Sequence, residues 1–555
     1  MWKKNLFFIA LVVAGGLALA GNLFPRPERE LDIPFAAADV QKQDFRDVVE
    51  RVDASFRQQW SAEGLERAPR ADELTMARRL SLGLTGTVPS LEEIRQLEAY
   101  QGPEKIQWYL NRLLHDRRYA DYVGERLARA YVGTEDGPFL VYRRRRFVTW
   151  LSDQVMLNTP YDQIAQQLIA ADGLWTDHPS TNFITVTIEQ GEKNRPKPER
   201  LAGQVSRAFL GIRLDCAQCH DHPLYGDAIK WKQMDFHGLA AFFGQTRQGF
   251  TGIHDEKGQE YEMEKRRGSD KQAVEPAVPF FPELLPEAGN RRERLAAWVT
   301  HRDNTYFAEA IVNRMWAVLT GRPLVEPIDD IDSVETDPGT VRRREAGRHK
   351  LKILAADFVE NGHDLRRLIK LMVATEVYQL ASTSPRELTE QEWVKHEQAW
   401  AVFPLSPLRP EQAVGALLQA ASLQTIDSES HILVRIATAL GTNEFVKRYG
   451  DSGRDEFDPH TGTIPQRLLL MNGNIVKEKT KDSILNASTR IAMLAPDDAT
   501  AVETAYLVVL TRRPTPEEAS HFAQRLAGKM NNARQRALED LYWTLINSSE
   551  FALNH

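Results

Sequence analysis

Cysteine is almost absent from this chain, since only two of its 555 residues, Cys216 and Cys219, are of this type. At most one disulfide can form, so the fold has to rest on packing rather than on a disulfide framework. The chain also lacks the G-x-S-x-G, H-E-x-x-H and P-loop signatures. It therefore carries none of the common short motifs of serine hydrolases, zinc proteases or phosphate-binding NTPases.

An excess of positive charge is missing too. The formal net charge is −7, with 42% hydrophobic and 26% charged residues, a composition typical of a soluble globular protein. We predict no nucleic-acid partner, and we interpret the basic run Arg143 to Arg146 as the solvated face of a helix. After the first twenty residues, no stretch reaches eighteen uninterrupted apolar residues.

The first twenty residues have the pattern of an export signal. Lys3 and Lys4 precede an apolar run from Leu6 to Leu19, which closes on the small residues Ala18 and Ala20. As a helix, fourteen residues span about 21 Å, less than the roughly 30 Å of a bilayer core. We expect export to the periplasm or cell envelope with cleavage of the signal; left uncleaved, the segment would tether the protein to the membrane.

Helical periodicity dominates the rest of the chain. Apolar residues recur on one helical face in two segments, namely Phe147, Trp150, Leu151 and Val155 in the first and Phe307, Ile311, Met315, Trp316 and Leu319 in the second. Capping boxes are predicted at Ser90 with Glu93 and at Thr515 with Glu518. The only strand candidate is residues 182–190, where apolar and polar residues alternate. The predicted fold class is mainly α, with little strand.

Composition divides the chain into five parts. Residues 1–20 form the export signal, and residues 21–44, with three prolines, form a lead-in tether. Two helix-rich domains are predicted over 45–245 and 291–555. Between them, residues 246–290 are charged and then proline-rich with little periodicity, which is typical of a linker.

Both cysteines stand in one short motif, Cys216-Ala-Gln-Cys219-His220. In C-x-x-C-H, each thiol can form a thioether to a haem vinyl group, and the histidine can bind the iron as proximal ligand. Covalent attachment of this kind takes place outside the cytoplasm, which agrees with the export signal. The sequence therefore predicts a haem c site, with Cys216, Cys219 and His220 as the cofactor-binding residues.

Two other uses of the motif stay open. Cys216 and Cys219 could pair as a structural or redox-active disulfide in an oxidising compartment. Alternatively, a zinc ion could be held by the two cysteines, His220 or His222, and a distant ligand.

The other face of a bound haem iron either takes a sixth ligand or stays open for peroxide or small-ligand chemistry. Candidate sixth ligands downstream of the motif are Met234, His237, His254 and Met263. For Met234 and His237, helix packing is the competing interpretation. The acidic run with Asp329, Asp330 and Asp332 lacks the EF-hand pattern, so we interpret it as a capping or solvated loop rather than a calcium site.

Longer segments carry a family resemblance. In the first block they are "RRLSLGLTGTVPSLEEI" (78–94), "LLHDRRYADY" (113–122), "PYDQIAQQLIAADG" (160–173) and "LGIRLDCAQCHDHPL" with "DFHGLAAFF" (210–243). These resemble a cytochrome-c-like domain of unknown function that is common in Planctomycetes and related bacteria. In the second block, residues 303–330, 351–382, 462–476 and 546–555 resemble the domain that habitually follows it.

This resemblance implies an exported bacterial protein with a haem-type motif at Cys216, Cys219 and His220. The chain holds no second C-x-x-C-H, so we expect at most one haem. The predicted function is electron transfer or other redox work with a redox partner protein. The alternatives are a non-haem scaffold protein of the envelope, with zinc or a disulfide at the motif, and a part of a carbohydrate-processing system, suggested only by the neighbours of such proteins. Neither an enzymatic activity nor an oligomeric state follows from the sequence.

Overall fold

The computed structural model describes most of the chain. The described residues are 34–134, 142–188, 195–223, 229–264, 271–333, 337–384, 386–427 and 486–555, with Met471, Gly473, Val476 and Ser483 between the last two ranges. The predicted export signal and residues 21–33 of the lead-in lie outside them, so both stay predictions. Within the described ranges, no helix combines the length and apolarity needed to cross a bilayer.

Helices build the part of the chain that precedes residue 245. In chain order they are α1 (Ala37–Gln41), α2 (Gln43–Glu63), α3 (Glu73–Thr85), α4 (Leu91–Ala99), α5 (Lys105–Leu114), α6 (Arg117–Val132), α7 (Arg144–Met156), α8 (Tyr161–Ile169), α9 (Asn182–Thr185), α10 (Pro198–Leu210) and α11 (Gln233–Ala241). Short 3₁₀ turns cover Pro179–Thr181 and Leu214–Ala217.

Helices also build the described part after residue 290. They are α12 (Arg291–Val299), α13 (Thr305–Thr320), α14 (Pro338–Glu360), α15 (Leu365–Ala374), α16 (Glu390–Gln398), α17 (Pro410–Ala420), α18 (Ala487–Leu494), α19 (Asp498–Leu510), α20 (Pro516–Leu526) and α21 (Asn531–Ile546), with 3₁₀ turns at Pro282–Leu284 and Val377–Gln379. The prediction of a mainly helical fold is confirmed.

Strands occur in the described residues only as small antiparallel pairs. They are β1 (His222–Pro223) with β2 (Ile229–Trp231), β3 (Thr246–Gly249) with β4 (Gly252–Asp255), β5 (Tyr261–Glu264) with β6 (Lys271–Val274), and β7 (Ser406–Pro407) with β8 (Leu553–Asn554). Two of these hairpins, β3–β4 and β5–β6, occupy the segment predicted as a linker.

One hydrophobic core joins helices from both sides of that segment. It runs from Val40 to Phe403, and in it α2 packs on α14, α3 on α13, and α10 on α13. A second cluster joins Leu82 and Val88 to α17 and the helices from α18 to α21. The predicted division into two domains stays a prediction, but the helices on its two sides share one core.

Several local predictions are confirmed. Ser90 with Glu93 and Thr515 with Glu518 form capping boxes at the starts of α4 and α20. The predicted stripes face the core, since these residues are buried: Phe147, Leu151 and Val155 in α7, and Phe307, Ile311, Met315, Trp316 and Leu319 in α13. Amphipathic spacing therefore located the inward faces correctly.

The predicted strand at 182–190 is wrong. Residues 182–185 form helix α9, and every residue from 182 to 188 is buried. Because both faces are covered, the alternation of apolar and polar residues does not mark a half-exposed strand here. The hydroxyl of Thr187 donates to the carbonyl of Ile184 at 2.8 Å, a local bond that favours a helical turn. Residues 189 and 190 lie outside the described residues.

Two adjacent arginines of α3 are fully buried. Arg78 donates to the carbonyls of Val509 and Phe551 at 3.3 and 3.2 Å. The guanidinium of Arg79 lies 3.6 Å from the ring centroid of Phe403. It donates to four oxygens, namely the carbonyls of Tyr378, Leu380 and His555 and the hydroxyl of Ser382. These cations hold three distant segments of the chain against α3.

Candidate functional site

The C-x-x-C-H motif follows directly from the end of α10. Gly211 ends this helix with φ of +61°, a left-handed conformation that glycine adopts without strain. The chain then forms the 3₁₀ turn Leu214–Ala217 and the β1–β2 hairpin before entering α11, which packs against that turn. The motif thus begins in a short 3₁₀ turn and continues in a loop between two packed helices.

Both cysteines are exposed on this loop. Residues three apart lie on the same face of a 3₁₀ helix. Leu214 and Ala217 form the buried face of the turn, whereas Cys216 in the turn and Cys219 beyond its end are exposed and unpaired. The buried pair therefore anchors the turn while both cysteines stay accessible.

Charged neighbours surround the first thiol. Partial burial raises the pKa of Cys216, and the carboxylates of Asp215 and Asp330 raise it further. Asp215 is itself bound by Arg207, whose Nε donates to it at 3.0 Å, so the turn is fastened to α10. At neutral pH, Cys216 is therefore a protonated thiol.

His220 is oriented by the backbone. Its Nδ1 lies 2.8 Å from the carbonyl oxygen of Asp221, which requires the proton on Nδ1. In that tautomer Nε2 carries a lone pair, and the exposed Nε2 has no hydrogen-bond partner among the described residues. This is the arrangement of a metal-binding imidazole, in which a backbone acceptor fixes the ring and the other nitrogen binds the ion.

Residues of α11 form hydrogen bonds with the motif loop. The carbonyl of Gln218 accepts from Gln233 Nε2 at 3.0 Å and from His237 Nε2 at 3.1 Å. The backbone N–H of Gln233 donates to Asp221 at 2.7 Å. These bonds fix the peptide unit between Gln218 and Cys219 and the side chain of Asp221, so the loop is held by direct protein contacts.

His237 has both ring nitrogens engaged. Besides the bond to Gln218, its Nδ1 lies 2.8 Å from the hydroxyl of Tyr261, which donates to Glu199 at 2.7 Å. The ring is 6% exposed, and burial lowers its pKa. His237 as a metal ligand stays a prediction, one that would require breaking one of these bonds.

The other predicted sixth ligands differ in exposure. Met234 lies in the first turn of α11 and is 45% exposed. His254 in β4 has its Nδ1 3.1 Å from the carbonyl of Gly252, and Met263 in β5 packs against the core. Of these, Met234 is the one that projects from the helix holding the motif, and its role as a ligand stays a prediction.

The donor groups around the motif fit the two predicted cofactors unequally. Within the described ranges, no three His, Cys, Asp or Glu side chains form a metal-binding group, and the side chain of His222 lies outside the described residues. The zinc alternative therefore has no described ligand set. Two accessible thiols three residues apart, with an adjacent imidazole whose Nε2 is available, do fit the chemistry of covalent haem attachment.

The acidic run near residue 330 is fully matched by cations. Asp329 pairs with Arg314, Asp330 with Lys230 and Asp332 with Arg348. The hydroxyl of Tyr306 also donates to Asp332. The run is a cross-linked loop rather than a solvated one, and it offers no open carboxylate group for calcium.

A separate cleft lies away from the motif. Its volume is about 990 Å³, and none of its lining residues lies between 204 and 240. Some charges on its wall are paired, as in Lys105 with Glu73 and Arg513 with Glu98.

Sequence reasoning missed the groups that fasten the motif. They are Lys230, Gln233, Tyr261 and Glu199, none of which has a recognisable spacing from Cys216 or Cys219. Lys230 and Gln233 lie in the segment that follows the motif, whereas Glu199 and Tyr261 belong to α10 and β5.

Comparison with known families matches two consecutive segments of the chain. Residues 51–248 match the family described as PSCyt2, protein of unknown function (DUF1549), and this match includes the C-x-x-C-H motif. Residues 291–435 match PSD1, protein of unknown function (DUF1553). No curated protein and no solved structure shows a significant match to the chain.

Proposed function

We propose, from the premise that this chain carries a cytochrome-like PSCyt2 domain followed by a PSD1 domain, that it is an exported c-type haem protein of the bacterial envelope that transfers electrons. Cys216 and Cys219 attach the haem, and His220 binds its iron. The bound group supplies reversible one-electron chemistry. A redox partner protein exchanges the electron at the exposed motif.

The orientation of His220 is the observation that carries this proposal. Its Nδ1 is fixed by the carbonyl of Asp221, and this exposed residue directly follows Cys219, the second of two unpaired cysteines. A scaffold loop has no need for an imidazole held in the ligand tautomer. The thiol state of Cys216 suits thioether formation, because a free thiol is the group that adds to a vinyl.

The first test is to express the full chain in a host that matures c-type cytochromes. Purified protein is denatured in pyridine to record its haemochrome spectrum, and its zinc content is measured in parallel. We expect one covalent haem per chain and no zinc. The double variant Cys216→Ser with Cys219→Ser should lose the covalent haem. A soluble protein without haem from the maturing host would overturn the proposal.

The second candidate is a cofactor-free scaffold protein in which the two thiols form a redox-sensitive clip. The bonds from Gln233 and His237 to Gln218 favour it, because they hold the loop without any metal. In that case the same preparation contains neither haem nor zinc. Mild oxidation then lowers the number of titratable thiols per chain from two to none.

A further inference from the structure

The acidic loop 329–333 is rigidly held on its own side of the molecule. Arg314 pairs with Asp329, and Arg348 pairs with Asp332. Arg344 donates to the carbonyl of Ile331 at 2.8 Å. Three cations from α13 and α14 therefore fix both side chains and backbone, so the loop can act as a firm support for whatever it touches.

Its first outward contact is with the end of α10. The backbone N–H of Ile331 donates to the carbonyl of Gly211 at 2.8 Å, and the Ile331 side chain is 2% exposed. A Cβ placed on Gly211 would lie only 2.8 Å from Cδ1 of Ile331. The loop therefore packs closely on Gly211, five residues before Cys216.

Its second outward contact is with the hairpin that follows the motif. Nζ of Lys230 donates to Asp330 Oδ1 at 3.3 Å and to the carbonyl of Asp332 at 2.5 Å. The two side chains of the ion pair are 12% and 20% exposed. A pair this well covered is screened less by solvent than a surface pair, so its loss has a measurable effect.

Together, the two contacts enclose the C-x-x-C-H motif between Gly211 and Lys230. We propose that loop 329–333 of the second family segment is a positioning brace that fixes the motif of the first, with Lys230 and Asp330 as its positioning residues. That the brace serves to hold a haem-attachment loop rests on the proposed function. The contacts themselves do not depend on haem.

Backbone hydrogen exchange on the full chain tests the brace directly. We expect Lys230→Met and Asp330→Asn each to speed deuterium uptake in residues 212–221 by at least fivefold. Lys271→Met is the matched control, because its ion pair with Glu262 is exposed and 3.8 Å long. The control should leave uptake in 212–221 unchanged.

A double-variant cycle and a rescue separate positioning from general destabilisation. If the two side chains act through each other, the combined Lys230→Met and Asp330→Asn variant should exchange no faster than the faster single variant. Lys230→Arg, which keeps the charge and donors, should restore most of the protection. Unchanged uptake in 212–221 for both single variants, or an effect confined to 329–333, would overturn the proposal.

Haem-loaded protein provides a further readout. Asp330→Asn removes a negative charge near Cys216, so the midpoint potential of the attached haem should shift in the positive direction. An unshifted potential together with unchanged hydrogen exchange contradicts the brace. If the wild-type chain binds no haem, the proposed function fails, while hydrogen exchange still decides whether the brace exists.

Discussion

The buried arginines of α3 and the C-x-x-C-H loop are held in opposite ways. Arg79 is fully buried and reaches four oxygen acceptors on segments up to 476 residues away in sequence. The motif presents Cys216, Cys219 and His220 to solvent and is held by a few polar contacts with its backbone. Stability is concentrated at the arginines, and chemical reactivity at the loop.

This difference predicts that variants of the two regions have separable effects. Each buried carbonyl left without its donor costs on the order of 1–3 kcal/mol, whereas an exposed thiol has no packing to lose. Substitutions in α3 should unfold the protein, and substitutions in the loop should change its chemistry while the fold stays.

Arg79→Met should cause the largest loss of stability. The substitution removes the donor from three buried acceptors and one part-buried acceptor, and it removes the cation stacked on Phe403. Burial lowers the pKa of Arg79 to about 9, so the lost group is still a cation at pH 7. We expect the free energy of unfolding to fall by roughly 3–5 kcal/mol, measured by urea denaturation followed by circular dichroism.

The control is another arginine with no such burial. Arg145 is exposed on α7, and Arg145→Met should change the unfolding free energy by less than about 0.5 kcal/mol. Equal losses for Arg79→Met and Arg145→Met would contradict the view that the α3 arginines are a centre of stability.

Asp53→Asn should stabilise the protein at high pH. Burial raises the pKa of Asp53 from 3.8 to about 7. The hydrogen bond from the backbone N–H of Glu376 lowers the pKa, but its effect is smaller than that of burial. Between about pH 4 and pH 7 the folded state keeps a proton that the unfolded state loses, so wild-type stability falls as pH rises through this range. At pH 8 the variant should be more stable, on the order of 2–4 kcal/mol.

Asp53 matters for the comparison because it contacts the segment that Arg79 binds. Its carboxylate caps the turn that carries the carbonyl of Tyr378, and asparagine can still accept the bond from Glu376. Asp47→Asn, at an exposed position of the same helix, is the control. Denaturation curves at pH 4, 6 and 8 should show a difference that grows with pH for Asp53→Asn alone; a constant difference would contradict the assignment.

His237→Phe should have a smaller effect on stability and a local effect on the loop. Phenylalanine fills the ring space but cannot donate to Gln218, which keeps only the bond from Gln233. We expect a loss of about 1–2 kcal/mol in urea denaturation and faster hydrogen exchange in residues 216–221.

Tyr261→Phe is the matched comparison for this substitution. It removes the hydroxyl beside Nδ1 of His237 but leaves the Nε2 bond to Gln218 in place. Stability should fall by a similar amount while exchange in 216–221 stays at the wild-type rate. If both variants loosen the loop equally, His237 does not act through its bond to Gln218.

Local patterns in the sequence were sufficient for the helices that they marked. The stripe of α13 and the capping boxes at Ser90 and Thr515 depend on residues within a few positions, and the structure confirms them. The segment 182–188 was mistaken for a strand because alternation signals a half-buried strand only when one face is solvated. Burial of both faces depends on helices far along the chain.

The surroundings of the motif could not be predicted for the same reason. Cys216, Cys219 and His220 are recognisable by spacing, but their supports are not. Lys230 and Asp330 are 100 residues apart in sequence, and His237 reaches Tyr261 across 24. The acidic run was predicted to be a solvated loop because its partner arginines are too far away in sequence to be recognised from local patterns.

Cysteine-to-serine substitution should have the smallest effect on stability. Both thiols are exposed and unpaired, and serine has nearly the same shape. We expect Cys216→Ser and Cys219→Ser each to change the unfolding free energy by less than about 0.5 kcal/mol. Thermal and urea denaturation of haem-free protein provide the measurement.

Ala217 provides the contrast within the same turn. It is fully buried between the two exposed cysteines, so Ala217→Ser places a hydroxyl in an apolar site and should cost about 1–3 kcal/mol. The unfolding free energy should therefore be insensitive to serine substitution at residues 216 and 219 and sensitive to it at residue 217. A large loss at either cysteine would show that its sulfur packs inward, which removes the outward pair of thiols on which covalent haem attachment depends.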